Sequence, residues 1–302
     1  MEKVLITGSA GFIGGNIRKM MQDQGYFVVG VDLKLDKKSD FSIHANTADE
    51  SLYQLLTDYR FEYIFHFGTP SSIKLYHENP IKSYEETVIS QIRMEKFVAE
   101  KNPTRFIFPS SSTVYAGLGE SEIQDERCYP RPKTLYASAK MAVEGIQQQS
   151  LYRSWNALRI FAGYGDGEEK KGEIASPICQ FLMSMMKGEQ PVIYGDGKQS
   201  RDFVYIKDII RIIKRLMDSN YYGVINVSSG ESADFNRLAQ EINLLFPEDE
   251  RRPPRYIEKP SKYPEKLYSD CALQVAITGK PEYGIKRGIK EFKEYLENGR
   301  KM

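Results

Sequence analysis

Apolar and polar positions alternate along the first half of the chain in a pattern that predicts strands and helices in turn. Short apolar runs predict strands, and stretches with apolar residues at intervals of three or four predict helices. The predicted strands cover residues 4–6, 26–31, 61–67, 105–108 and 157–160, and the predicted helices cover residues 13–21, 83–100, 136–152 and 206–217. This alternation predicts a doubly wound α/β fold, in which helices cover both faces of a parallel sheet.

A glycine-rich stretch joins the first predicted strand to the first predicted helix, with the sequence Thr7-Gly8-Ser9-Ala10-Gly11-Phe12-Ile13-Gly14. Gly8 can adopt a turn that other residues avoid, Gly11 lets the backbone approach phosphate, and Gly14 lets the helix pack on the strand. The first N–H groups of a helix have no intrahelical partners and can bind an anion. The stretch therefore predicts a dinucleotide pyrophosphate site, although a tight turn alone would also explain its glycines.

Asp32 ends the second predicted strand, about 20 residues beyond the glycines. A carboxylate there can accept hydrogen bonds from the adenosine ribose hydroxyls and repels a 2′-phosphate. Leu33 offers no guanidinium for such a phosphate, although Lys34 lies close by. We therefore predict NAD rather than NADP as the cofactor, the alternative being that Asp32 is only a turn residue.

The character of the chain changes at residues 163–172, which are rich in glycine and charge. Beyond them the predicted elements are shorter and the loops are more polar, as at residues 194–197 and 248–254. We expect an NAD-binding Rossmann domain of residues 1–162, completed by about residues 201–228, in which ligands gather at the carboxyl ends of the strands. A smaller, partly separate C-terminal substrate lobe is then expected to contain about residues 163–200 and 229–302.

The composition limits the partners and the compartment. Hydrophobic residues make up 41% and charged residues 27% of the 302 residues, as in ordinary soluble globular proteins. The formal charge of +1 does not indicate a basic surface for binding nucleic acid or an anionic membrane. No apolar run approaches the roughly 18 residues of a membrane span, and a first strand at Lys3 or Val4 leaves no room for a signal peptide. The cysteines and histidines show neither disulfide nor metal-ligand spacing, so we expect a cytoplasmic protein with free thiols and no metal.

The pattern Tyr-x-x-x-Lys occurs three times in the chain. Two prolines prevent a helical turn at residues 129–133, and residues 194–198 are typical of a turn around Gly-Asp-Gly. The remaining copy, Tyr136-Ala137-Ser138-Ala139-Lys140, can be helical, and its spacing places Tyr136 and Lys140 on one face.

A tyrosine paired with a lysine in this way can serve as a general base. A free phenol titrates near 10, but a nearby ammonium and a positive nicotinamide ring both favour the phenolate. Lowering the pKa by about three units takes about 4 kcal/mol. Tyr136 could then remove a proton from a sugar or alcohol hydroxyl while hydride passes to NAD. The hydroxyls of residues 110–113, after the strand at residues 105–108, could bond the same oxygen, or could simply form a polar exit from the strand.

Together these motifs resemble the extended short-chain dehydrogenase/reductase family, which includes the nucleotide-sugar epimerases and dehydratases. The resemblance covers nearly the whole chain. It includes the glycine stretch with Asp32, His66-Phe67-Gly68, residues 110–115, Tyr136 with Lys140, residues 158–161, residues 164–165 and residues 195–205.

The resemblance implies roles for individual residues. Ser111 would be the catalytic hydroxyl, Tyr136 the base, and Lys140 the group that holds the ribose and tunes the tyrosine. The implied cofactor-binding residues are Gly8, Gly11, Phe12, Ile13, Gly14, Asp32, Asn46, Phe67, Gly68, Thr69, Tyr136 and Lys140. The implied substrate contacts are Ser112, Thr113 and Arg201. A guanidinium such as that of Arg201 suits a substrate phosphate, the alternative being a surface charge.

The residues after Ser111 distinguish the subfamilies. Dehydratases of the family carry an Asp-Glu pair where this chain has Ser112-Thr113. Sugar-acid decarboxylases carry a glutamate in place of Thr113, although residues 69–72 and 79–80 resemble theirs. The order Ser-x-Thr-Val-Tyr is similar to that of the 4-epimerases.

The resemblance therefore favours an NAD-dependent nucleotide-sugar 4-epimerase. Such an enzyme oxidises the C4 hydroxyl, lets the 4-keto sugar rotate, and returns hydride to the other face. An oxidoreductase, decarboxylase or dehydratase of the same family is the alternative. A dinucleotide-sensing protein without catalysis is disfavoured, because such sensors lack the tyrosine base. The nucleotide and the sugar stay open, since the family usually has asparagine, proline and aspartate where this chain has Ala162, Asp166 and Asn46.

The resemblance also implies a homodimer. The helices predicted at residues 83–100 and 136–152 lie where many relatives pair across a two-fold axis. An isologous dimer would bury their apolar residues, including Val88, Ile92, Val143 and Ile146.

Overall fold

The structure is a computed structural model, and it describes residues 1–119, 122, 124–259 and 266–300. The strands are β1 (Lys3–Thr7), β2 (Phe27–Asp32), β3 (Phe41–His44), β4 (Tyr63–His66), β5 (Arg105–Ser111), β6 (Trp155–Ile160), β7 (Ala162–Tyr164), β8 (Val192–Tyr194), β9 (Ser200–Tyr205), β10 (Gly223–Val227), β11 (Ser232–Asp234), β12 (Arg255–Ile257) and β13 (Lys266–Leu267). The α-helices are α1 (Phe12–Asp23), α2 (Glu50–Leu55), α3 (Ile73–Glu78), α4 (Pro80–Lys101), α5 (Leu135–Gln148), α6 (Pro177–Met185), α7 (Ile206–Met217), α8 (Phe235–Asn243), α9 (Ala272–Thr278) and α10 (Ile285–Arg300).

The chain divides into two compact units. Unit 1 contains Met1–Gly117, Tyr129–Arg159 and Ile213–Ile225, and unit 2 contains Leu118–Cys128, Ile160–Ile212 and Asn226–Met302. These limits differ from the expected ones, because residues 118–128 and 201–212 group with unit 2. Strand pairing accounts for much of the difference, since β9 pairs with β7, β11 and β13 of the same unit.

Unit 1 is built around a seven-stranded sheet with the order β3-β2-β1-β4-β5-β6-β10. β1 runs parallel to β2 and β4, β2 runs parallel to β3, and β4 runs parallel to β5. The strands read as continuous apolar runs because both faces of the sheet are covered: Leu5, Val29, Ile64 and Phe106 are all 0% exposed. The strand order reverses between β1 and β4, which creates a crevice at the carboxyl ends of these strands. The predicted doubly wound Rossmann fold is confirmed.

Capping residues set the ends of the two long helices of unit 1. α4 begins with Pro80 at its first position and ends before Asn102, which has a left-handed backbone with φ of 48°. α5 begins after Thr134, whose Oγ1 accepts a hydrogen bond from the Ala137 N–H at 3.1 Å. It ends at Gln148 rather than at the expected residue 152, where the chain has already turned toward β6.

The core of unit 1 corrects one expectation about a subunit interface. Val143 on α5 is only 2% exposed and belongs to the core of its own chain. The expectation that a second subunit buries this side chain is therefore wrong. Ile92 on α4 is 50% exposed and stays available. No helix in the described part of the chain combines the length and apolar character that crossing a membrane requires.

Unit 2 contains two small sheets. In one, β9 lies between β11 and β13 and also pairs with β7; in the other, β8 pairs with β12. Aromatic rings fill its interior, where Phe203 packs against both Tyr164 and Phe235. No disulfide joins Cys128, Cys179 and Cys271, which is the thiol state expected from their spacing.

Candidate active site

The glycine stretch forms the turn between β1 and α1. Gly8 has a φ of 71°, and a Cβ there would lie 2.6 Å from the Phe67 carbonyl oxygen. A Cβ on Gly14 would lie 2.1 Å from the Gly8 carbonyl oxygen. Gly11 precedes the first residue of α1 and has no side chain that could cap it. The turn therefore requires glycine, and it is followed directly by the amino end of α1, which favours anions.

A cavity of about 380 Å³ lies beside this turn in unit 1. Its walls include Gly8, Gly11, Asp32, Asn46, Phe67, Gly68 and Thr69. The structure thus brings most of the predicted cofactor-binding residues to one cavity. Its lining does not include Phe12, Ile13, Gly14, Tyr136 and Lys140.

The polar groups of the cavity suit a dinucleotide. Asp32 accepts hydrogen bonds from the N–H groups of Ala10 at 3.0 Å and Lys34 at 2.9 Å, one on each carboxylate oxygen. Each oxygen keeps a second acceptor position for a ribose hydroxyl. Asn46 is held in place because it donates to Glu86 at 3.1 Å and accepts from the Ala48 N–H at 2.9 Å. An anion-binding turn beside a fixed carboxylate fits a pyrophosphate joined to a ribose.

Ser111, Tyr136 and Lys140 come together at the carboxyl end of β5. Ser111 is the last residue of β5, and the other two lie in the first two turns of α5, as predicted. The Ser111 side chain is hydrogen-bonded to Tyr136. The Lys140 Nζ lies 5.6 Å from the centre of the Tyr136 ring and donates to Thr69 Oγ1 at 3.3 Å. The other two copies of the motif lie outside helices, which confirms that only Tyr136 and Lys140 share a helix.

Thr113 determines which way the Ser111 hydroxyl points. Its N–H donates to Ser111 Oγ at 3.2 Å, and its own hydroxyl donates to the same atom at 2.9 Å. These two bonds occupy both acceptor positions of Ser111, so its proton is available for donation toward Tyr136. Ser112, expected to contact substrate, is only 5% exposed, whereas Thr113 is partly exposed.

Burial dominates the electrostatics of the tyrosine and the lysine. It raises the pKa of Tyr136, and the hydrogen bond with Ser111 acts in the opposite direction. It lowers the pKa of Lys140 to about 8. The expected low phenol pKa is therefore not produced by these side chains alone, and further positive charge close to Tyr136 is needed.

A buried ion pair ties α5 to β5 and β6, and sequence reasoning missed it. Arg159 donates to the two carboxylate oxygens of Glu144 at 3.0 and 2.7 Å, and Ser110 donates to the same carboxylate. Arg159 also donates to the Tyr115 hydroxyl at 2.7 Å. Two signals could have revealed the pair: a charge inside the apolar run of β6, and a glutamate one helical turn after Lys140.

Tyr76 on α3 was also missed. Its ring packs edge-on against Tyr136, with ring centres 5.4 Å apart and an angle of 73° between the planes. Its hydroxyl lies 2.6 Å from Thr87 Oγ1, and burial raises its pKa to about 12. Tyr76 is therefore a neutral neighbour that fixes the orientation of the Tyr136 ring.

Arg201, the predicted phosphate contact, lies in unit 2 on β9. It is partly buried, its Nη1 donates to the Ser200 carbonyl at 2.7 Å, and its guanidinium lies 5.8 Å from the centre of the Phe235 ring. Asp166, where the family usually has proline, accepts a hydrogen bond from Tyr205 at 2.7 Å. No group of three or more histidine, cysteine, aspartate and glutamate side chains within the described ranges could hold a metal ion.

Comparison with protein families identifies the chain at the level of a family. The model of the NAD dependent epimerase/dehydratase family matches residues 4–228. The chain belongs to this family. The match spans the glycine turn, Asp32, Ser111, Tyr136 and Lys140, and it confirms both the predicted family and NAD as its cofactor.

Three relatives illustrate the range of reactions within the NAD dependent epimerase/dehydratase family. A UDP-N-acetyl-alpha-D-glucosaminuronate decarboxylase from Bacillus cytotoxicus is 28% identical over 327 residues, covering 98% of this chain and 99% of that protein. A UDP-N-acetylglucosamine 4-epimerase from Methanobrevibacter ruminantium, solved with UDP-N-acetylmuramic acid, is 27% identical with a TM-score of 0.87, covering 99% of each chain. A UDP-glucose 4-epimerase from Thermotoga maritima, solved with UDP-glucose, shares the fold with a TM-score of 0.90 at 23% identity, covering 99% of each chain.

Proposed function

We propose that this protein is an NAD-dependent nucleotide-sugar 4-epimerase. The observation that carries the proposal is the hydroxyl arrangement at the end of β5. Thr113 holds Ser111 as a proton donor toward Tyr136, and Thr113 stands where dehydratases and decarboxylases of the family have a carboxylate. The 27% identical 4-epimerase supports a nucleotide sugar as the substrate class.

Each residue of the site has a distinct task in this proposal. Tyr136 takes the proton of the C4 hydroxyl on its phenolic oxygen, and with substrate bound Ser111 donates its one proton to the same C4 oxygen instead of to Tyr136. Lys140 holds a ribose hydroxyl and adds positive charge near the phenol. When bound, NAD supplies a reversible hydride acceptor and the additional positive charge that Tyr136 needs.

The other predicted residues are proposed to hold the cofactor or the substrate. Gly8, Gly11 and the start of α1 hold the pyrophosphate, and Asp32 holds the adenosine ribose. Phe12, Ile13 and Gly14 form the first turn of α1 behind that site, while Asn46, Phe67, Gly68 and Thr69 line the cavity. Ser112, Thr113 and Arg201 are proposed to contact the substrate, and the active species is proposed to be a homodimer.

Decarboxylation of a nucleotide-sugar acid is the second candidate, because the decarboxylase from Bacillus cytotoxicus is 28% identical over nearly the full chain. Both reactions begin with oxidation at C4, so the same three residues would serve either one. Thr113 favours epimerisation, since it supplies a hydroxyl where those decarboxylases carry a glutamate.

Substitutions at the three site residues test the proposal through kcat, measured with whichever sugar nucleotide is converted. Tyr136→Phe removes the proton carrier and keeps the ring, so kcat should fall by about 10²–10⁴-fold. Lys140→Met should cost a comparable factor, because the ribose loses a donor and the phenol loses a positive neighbour. Ser111→Ala should cost about 10–100-fold, as expected for one hydrogen bond to the reacting oxygen.

The two other tyrosine motifs supply matched controls. Tyr129 is 81% exposed and Tyr194 is 37% exposed, so replacing either with phenylalanine should leave kcat within a few-fold. Near-normal turnover by Tyr136→Phe would show that the base lies elsewhere. A wild-type protein that binds NAD but converts no sugar nucleotide would instead indicate a sensor.

A further inference from the structure

A buried chain of hydrogen bonds closes on the peptide group of Gly68 in the cavity wall. On one side, the Gly68 N–H donates to Thr7 Oγ1 at 2.9 Å, and this hydroxyl lies 2.9 Å from His66 Nδ1. On the other side, Thr47 donates to the Gly68 carbonyl at 2.7 Å and Ser90 donates to Thr47 at 2.7 Å, while Ser90 Oγ lies 3.0 Å from His66 Nε2. The four side chains are 0–3% exposed.

Counting protons gives this ring a single direction. Each hydroxyl has one proton; that of Thr47 goes to the Gly68 carbonyl and that of Ser90 goes to Thr47. Ser90 must therefore accept from His66, which places the imidazole proton on Nε2. Nδ1 is then an acceptor, so the Thr7 hydroxyl donates to it and accepts the Gly68 N–H. Every donor in the ring has one acceptor.

A doubly protonated imidazole would break this order. Thr7 would then accept from both His66 and Gly68, and its own proton would need a partner outside the ring. Burial and the nearby Lys140 ammonium lower the pKa of His66 to about 3, so the ring holds the neutral form. The side chain is thus fixed in one charge state and one tautomer.

We propose that His66 is a positioning residue, which as an Nε2-protonated imidazole closes a ring through Thr7, Ser90 and Thr47 and thereby fixes the Gly68 peptide in the wall of the dinucleotide cavity. The ring concerns binding of NAD and does not depend on which sugar reaction follows.

The position of this peptide matters for two reasons. A Cβ at Gly68 would lie 2.9 Å from the Gly8 backbone nitrogen, so the peptide packs directly against the glycine turn. The next residue, Thr69, accepts a hydrogen bond from the Lys140 ammonium at 3.3 Å. A shift of the peptide would therefore disturb both the cavity wall and the lysine that is proposed to hold ribose.

The tautomer of His66 can be measured on the unaltered protein. Nitrogen NMR of ¹⁵N-histidine-labelled protein distinguishes protonated from unprotonated ring nitrogens, and His44→Gln and His77→Gln assign the three histidines of the chain. We expect His66 at pH 7 to carry its proton on Nε2, with Nδ1 unprotonated. A proton on Nδ1, alone or together with one on Nε2, would overturn the proposal.

Substitution of Thr7, which lies outside the cavity lining, tests the effect on the cofactor. Thr7→Val breaks the ring and Thr7→Ser preserves it. We expect Thr7→Val to weaken NAD binding about five- to tenfold and to speed hydrogen exchange of the Gly68 amide, as expected from loss of one buried hydrogen bond. Thr7→Ser should stay within about twofold of the wild type.

Tyr152→Phe is the matched control for a purely structural effect. Its hydroxyl shares one proton between the carbonyl oxygens of Pro103 at 2.7 Å and Ser154 at 3.0 Å, near the amino ends of β5 and β6, away from the cavity. This variant should lose stability and keep its NAD affinity. If Thr7→Val keeps the NAD affinity of the wild type, as the control should, the proposal is contradicted. If Thr7→Val does not fold, Ser90→Ala opens the same ring, and an unchanged NAD affinity there would contradict it equally.

Discussion

Replacing Glu144 with glutamine tests whether the buried ion pair secures α5. The Glu144 side chain is 5% exposed and that of Arg159 is 4% exposed, and the carboxylate receives two hydrogen bonds from the guanidinium and one from Ser110. An amide of the same shape leaves the guanidinium buried without a counter-charge. Breaking a buried pair in this way costs about 3–5 kcal/mol, because the cation was desolvated for a partner that is gone. For a unit of this size the loss corresponds to a fall in Tm of about 6–20 °C.

Urea unfolding followed by circular dichroism measures this change, with Glu78→Gln as the matched control. Glu78 is 52% exposed and lies 4.0 Å from the half-exposed Lys74, so its loss should cost less than about 0.5 kcal/mol. Replacing both members of the buried pair, with Glu144→Leu and Arg159→Met, should restore most of the stability, because no unpaired charge stays buried. A loss below about 1 kcal/mol for Glu144→Gln would refute the reasoning.

Three further predictions concern the cofactor, pH and assembly. Asp32→Asn should reduce the preference for NAD over NADP about tenfold, because the amide does not repel a 2′-phosphate. Titration with both dinucleotides measures the ratio of their dissociation constants. Tighter binding of NADP than of NAD to the wild type would contradict the role of Asp32. Burial lowers the pKa of His66 from 6.5 to about 3 on folding, so below pH 6.5 the unfolded state binds the additional proton and the contribution of His66 to stability falls by about 1.4 kcal/mol per pH unit. Burial raises the pKa of Asp202 to about 6, and its protonation stabilises the fold over the same pH range, so the contribution of His66 is isolated by comparison with His66→Gln. The difference in unfolding free energy between wild type and His66→Gln should shift by about 2 kcal/mol between pH 6.5 and 5, and an unchanged difference would count against a neutral buried His66. Light scattering at micromolar protein should give the wild type a mass of twice 34.7 kDa, the mass of one chain. The Ile92→Asp variant, altered on an exposed position of α4, should have the mass of one chain. A monomeric wild type would contradict the proposed homodimer.

The strands and helices with strong patterns could be predicted from the sequence, and the short ones could not. Residues 4–6 of β1 and 106–108 of β5 form unbroken apolar runs because the sheet buries them on both faces. β3 has four residues, of which only Ile43 is buried, and α2 and α3 are six residues each, too short for a periodic signal.

In the candidate site, too, some features could be predicted from the sequence and others could not. Local motifs indicated the glycine turn and the pairing of Tyr136 with Lys140, since each depends on neighbours in sequence. The ring around Gly68 joins β1, β4, α4 and the segment after β3, so its members show no spacing that sequence could reveal. The pairing of Glu144 with Arg159 likewise appears only when α5 packs against β6.

The identity of the product distinguishes a 4-epimerase from the other enzymes of the family. Wild-type protein should be incubated with NAD and a panel of UDP, GDP, dTDP and CDP sugars, including sugar acids, each labelled with deuterium at C4. We expect conversion of an accepted sugar into its C4 epimer with unchanged mass, with deuterium retained at C4 and no net NADH. A product that has lost carbon dioxide or water, or NADH that accumulates in step with product, would contradict the assignment as a 4-epimerase.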